Sequence, residues 1–121
     1  VGDALRLADA GGAELSDALI GLLRPLPRLE LGAVHRFCDG LAAPSGEGAY
    51  RTVTDLLLPW WLAGQVRELV DRRAPRPTLD RWVAVWEKIA RLFERADRVN
   101  LERRMVVLTA FLALQATARA D

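Results

Sequence analysis

From Met105 to Leu114 the chain reads MVVLTAFLAL, ten residues without a charge. Leu101, Met105, Leu108 and Leu112 recur at helical spacing, while Val106, Val107, Ala110, Phe111, Ala113 and Leu114 occupy the other sides. A helix that is apolar all round is one surrounded by protein. This segment is therefore expected to be a central post and the most buried part of the fold. The stretch before it is a different kind of helix. Leu79, Trp82, Trp86, Ile89 and Phe93 fall on one face, with Arg81, Glu87, Lys88, Arg91, Glu94 and Arg95 on the other. That pattern predicts an amphipathic first neighbour, joined to the post at residues 97–100 and packing Trp86 and Phe93 against it.

The rest of the chain continues in helical periods. Asp3 to Ala8 reads as the tail of a helix stopped at Gly11-Gly12, so residues 1–12 are the end of a preceding element or linker and 13–121 one helical domain. Starting in mid-pattern, the chain is expected to be a piece of a longer protein. Residues 13–24 place Leu15, Leu19, Leu22 and Leu23 on one face before Pro25 and Pro27 stop the helix. Leu31 to Ala42 repeats the pattern with Val34, Phe37, Cys38 and Leu41. After the loop from Pro44 to Gly48, a longer helix from Tyr50 to Val70 carries Val53, Leu57, Trp60 and Gly64 on one face, widened by Leu56, Trp61 and Leu62. Pro59 lies inside it and predicts a kink near Asp55 to Pro59, or two shorter helices. Thr78 and Asn100 are the expected N-caps of the last two helices. Five or six helices with short connections make a compact all-α bundle.

A chain of 121 residues fits one domain and can bury roughly 65% of its unfolded surface without a covalent staple. Its 17 basic and 16 acidic residues leave a net charge of +1, which gives no electrostatic drive toward nucleic acid. The single cysteine, Cys38, forms no intrachain disulfide and suits a cytoplasmic protein. No stretch reaches the ~20 apolar residues of a membrane span.

Catalytic chemistry has few residues to draw on. His35 is the sole histidine and lies three residues before Cys38, on adjacent positions of one helix face. Zinc wants four ligands, so the pair reads as helix surface beside a buried thiol. No phosphate-binding glycine loop occurs. No catalytic, cofactor-binding or metal residue is therefore assigned, and no enzyme activity is expected. The tryptophans are the stronger signal. Trp82 and Trp86, four apart beside Ile89 and Phe93, read as core. Trp60 and Trp61 point about 100° apart on a helix and cannot share one face. One of them is thus a candidate partner contact. The arginines from Arg91 to Arg104 alternate with Glu94, Asp97 and Glu102, and Glu87 to Arg91 and Glu94 to Arg98 have ion-pair spacing, so that region reads as a solvated face. Arg72, Arg73 and Arg76 beside two prolines read as an exposed loop.

The run WVAVWEKIARLFERADRVNLERRMVVLTAFLAL, Trp82 to Leu114, resembles the end of the delta-prime subunits of bacterial DNA polymerase III, in their alphaproteobacterial form. There a W-x-x-x-W-E-K helix leads through a short loop and an N-x-x-R turn into the last helix. The resemblance extends more weakly to Val1. In ATP-hydrolysing clamp-loader subunits the opening stretch resembles G-S-x-R-D-A-L; here Gly2 stands where the arginine would be, before Asp3-Ala4-Leu5. That departure favours delta-prime, which does not turn over ATP. The resemblance implies a non-catalytic collar domain packing beside the gamma/tau and delta subunits, without cofactor or small-molecule ligand and touching DNA only through the complex, which loads the beta sliding clamp during replication. An alternative from a different class is a small-molecule-binding helical bundle of a regulator, its tryptophans lining a pocket.

Overall fold

The structure is a computed structural model and describes residues 12–120. The opening segment that carries Gly2 and Asp3-Ala4-Leu5 lies outside the described residues. The fold is all-α, with no strand among the described residues. The helices are α1 (Gly12–Leu23), α2 (Leu31–Ala42), α3 (Glu47–Thr52), α4 (Leu58–Asp71), α5 (Arg76–Val99) and α6 (Arg103–Arg119). A wide π-helical turn, Val53–Leu57, joins α3 to α4 without a break.

Helix α6 lies against α2 and α5 and supplies the centre of the core. Val106, Val107, Ala110, Phe111 and Leu114 are buried, and Phe111 meets Phe37 of α2 edge-on at 6.1 Å and 84°. The post is nevertheless not enclosed. Met105 is 49% exposed and Leu112 43%, so one side of a helix without charges on it faces solvent. Helix α5 turns Trp82, Val85, Ile89 and Ala96 inward, while Trp86 and Phe93 flank the core half-buried. Trp82 and Ile89 lie on the face that periodicity predicts, and Val85 and Ala96 extend the buried line beyond it.

The two expected N-caps are corrected. Asn100 ends α5 instead of opening α6. Its φ of 54° is the left-handed conformation, and Leu101 N–H returns to the Ala96 carbonyl at 3.1 Å. Asparagine tolerates this conformation better than most residues, which is why one sequence signal serves either end of a helix. Glu102 precedes α6 with no side-chain cap bond. Thr78 lies inside the first turn of α5, which starts at Arg76 after Pro75, and its Oγ1 accepts a bond from Arg81 Nη2 at 3.3 Å. The side-chain cap that does form belongs to Glu30, whose carboxylate accepts from Gly32 and Ala33 N–H at 3.0 and 2.9 Å and opens α2.

The connections are tied to the core by long-range bonds. Leu29 N–H donates to Gln115 Oε1 at 3.0 Å, fixing the α1–α2 loop on α6. Arg103 Nη2 donates at 3.3 Å to the Ala42 and Ala43 carbonyls at the end of α2, and its guanidinium lies 5.9 Å over the Tyr50 ring. Gly46, buried in the turn before α3, has the Gly40 and Leu41 carbonyls where a Cβ would stand, so only glycine lets that turn close on α2.

Candidate functional site

The position of Trp60 follows from the wide turn. In an unbroken α-helix, Tyr50, Val53 and Leu57 would continue inward through Trp60 and Gly64. Across Val53–Leu57 the ladder widens by one residue: Leu58 N–H reaches back five residues to the Val53 carbonyl. Tyr50, Val53, Thr54, Leu58, Leu62 and Leu69 are the buried set as a result. Trp60 is carried to the outer side of α4, where it is 56% exposed near Leu56, which is 65% exposed. The cause is Pro59. It has no N–H to donate and crowds the carbonyl of the preceding turn, and the wide turn lies where that carbonyl sits. The expected interruption is present, as a change of ladder within one continuous helix.

Trp60 and Trp61 part as their geometry requires. Trp61 is half-buried with its ring 6.1 Å from that of Trp82, tilted by 59°. These two rings share a surface cleft of about 390 Å³ with Leu23, Leu26 and Gln65. Trp60 takes no part in that cleft, and neither does Trp86. The four tryptophans therefore do not converge on one pocket.

His35 and Cys38 do not act together. His35 Nδ1 is 2.9 Å from Arg104 Nη2, and Arg104 Nε is 2.6 Å from Asp39 Oδ1. A guanidinium only donates, so Nδ1 accepts and the neutral ring carries its proton on Nε2. Cys38 is fully buried beside them, and burial pushes its thiol up to about 11, against the opposing pull of Arg104. A thiol held protonated in this way is a packing group and not a nucleophile. Among the described residues no group of three or more His, Cys, Asp or Glu is placed to hold a metal ion.

At the Arg103 end of the bundle, Tyr50, Arg51, Asp97, Asn100 and Arg103 border a polar cleft of about 480 Å³. Arg51 and Asp97 close across it at 2.9 Å. Arg103 also lines it, and its buried Nη1 has no protein acceptor. Burial raises the Tyr50 hydroxyl pKa, and the neighbouring Asp97 carboxylate adds to the rise. Of the two expected ion pairs on α5, Glu94 with Arg98 is within ion-pair distance, at 3.6 Å.

Of the Trp60-Trp61 pair, Trp60 is the one that faces solvent, and one side of α6 faces it too, which periodicity does not reveal. The uncharged run from Met105 to Leu114 predicts enclosure, yet an uncovered apolar face has the same sequence pattern. No helix among the described residues is long and apolar enough to cross a membrane. Comparison with family models, characterised proteins and solved structures returned no match.

Proposed function

We propose that the chain is the C-terminal collar domain of a delta-prime clamp-loader subunit. In this role it is a non-catalytic interaction domain, oligomerising with the collar domains of gamma/tau and delta so that the complex loads the beta clamp onto primed DNA in the cytoplasm. The observation that carries this reading is the run from Trp82 to Leu114, whose W-x-x-x-W-E-K helix, short loop and N-x-x-R turn resemble the delta-prime pattern. An all-α bundle with Trp60 on an outer face is compatible with such a role. The direct test is assembly. The domain mixed with gamma/tau of the same organism should co-migrate with it in size-exclusion chromatography, and separate elution would sink the proposal.

The cleft shared by Trp61 and Trp82 favours, as a second reading, a regulator's ligand-binding bundle. Tryptophan fluorescence separates the two. A saturable change on adding cellular small molecules supports the regulator, and a flat response with co-migration supports the collar.

A further inference from the structure

The seam between α5 and α6 is open along its length. Two shallow clefts, of about 520 and 330 Å³, share Lys88 and Ala113, so they run end to end. At 1.5 Å per residue, α5 from Arg81 to Arg98 gives the seam a length of about 25 Å, room for between four and five turns of another helix.

The two banks differ in chemistry. On α6 the bank is built from Thr109, Ala113 and Ala116, and Met105 and Leu112 are exposed outside both clefts. Not one residue from Met105 to Ala118 is charged. A solvated helix face normally carries charge over such a distance, and an exposed face without it is one that expects cover. Small residues also keep the bank low enough for another helix to approach. On α5 the bank carries Lys88, Arg91, Arg95 and Arg98 at steps of three, four and three, all exposed. Glu94, held by Arg98 at 3.6 Å, is the sole carboxylate lining either cleft.

From this juxtaposition we infer that the α5–α6 seam is a docking groove for an amphipathic helix of a partner protein, its apolar face on Ala113 and Ala116 and a row of carboxylates toward Lys88, Arg91 and Arg95. Helix-in-groove recognition needs an apolar floor for affinity and flanking charge for register, and the seam offers both. Nucleic acid suits it less well, since phosphates could use one bank while the other would leave apolar surface facing them. A second copy docked seam to seam suits it less well too, because Glu94 is the single carboxylate lining the two clefts. The inference holds whichever assembly the chain serves.

The test uses the full chain and two labelled synthetic helices of about 18 residues, long enough to fill the seam. Both carry leucine and alanine on one face; the first has glutamates along the flank and the second lysines instead. Fluorescence anisotropy should show saturable binding of the acidic helix and about tenfold weaker binding of its twin. Arg91→Glu with Arg95→Glu should reverse that preference. Ala116→Glu should weaken the acidic helix by about tenfold with an unchanged circular dichroism spectrum. Binding of neither helix, or of both equally, overturns the inference on the unaltered protein. So does preferential binding of a DNA duplex, or a dimer in sedimentation that Ala116→Glu abolishes.

Discussion

Trp60 leaves more than half of a large aromatic surface in water, at about 25 cal/mol of lost burial per Å² of apolar area. It stands outside the packed core, so Trp60→Glu should leave the melting temperature nearly unchanged. Within the proposed clamp loader the same change should weaken assembly with gamma/tau by about 2 kcal/mol or more, the size of a hot-spot loss, measured by titration calorimetry. Undiminished assembly would place the contact elsewhere. Cys38 gives a prediction of the opposite kind. Its folded pKa of about 11 lies above the ordinary 9.0, chiefly through burial, so its contribution to stability is fully present below about pH 9 and is lost as pH rises through 11. Cys38→Ala should therefore flatten the alkaline fall of stability between those limits in urea titrations, whatever it costs in packing at neutral pH. An alkaline limb of unchanged slope would show that the thiol is not its source. Both residues stand out in the sequence, but only their surroundings decide that one is solvent-facing and the other inert.

Helix limits and helix phase were not equally legible. Leu31 to Ala42 was found to the residue, because apolar spacing and the preceding prolines agree there. The phase of α4 was missed, because counting at 3.6 residues per turn assumes an unbroken ladder and Val53–Leu57 is wider. This makes the wide turn testable. Deleting Leu56, an exposed residue within it, should restore an ordinary ladder without moving the buried sets on either side, yet it would return Pro59 to a regular turn. The deletion should thus cost about 3 kcal/mol alone and markedly less in a Pro59→Ala background, as read from chemical denaturation. Equal costs in both backgrounds would detach the wide turn from the proline. On α6 the apolar decade suggested enclosure, whereas burial separates its leucines. Leu114 is fully buried and Leu108 only in part. Leu114→Ala should cost about 2–5 kcal/mol and Leu108→Ala clearly less. A reversed order would mean that the inward side of α6 is wrongly assigned.

For the molecule as a whole, the all-α class could be read from periodicity alone, because nearly every apolar residue sits in a helical repeat. Outer faces could not be read in this way, since an uncharged helix looks the same whether protein or solvent lies beyond it. If the chain is a delta-prime domain, with Gly2 where ATP-using relatives carry arginine and no phosphate-binding loop in its sequence, it should neither bind nor hydrolyse ATP. Calorimetry with ATP and magnesium checks this, and saturable micromolar binding would remove the assignment. The uncovered side of α6 also matters for handling the protein. With a net charge of +1, copies of the chain have almost no long-range repulsion to keep them apart. Sulfate strengthens the association of exposed apolar surface, so Met105 and Leu112, like Leu56 and Trp60, set the concentration at which the isolated chain leaves solution. A partner seated on those faces would also keep the chain dispersed.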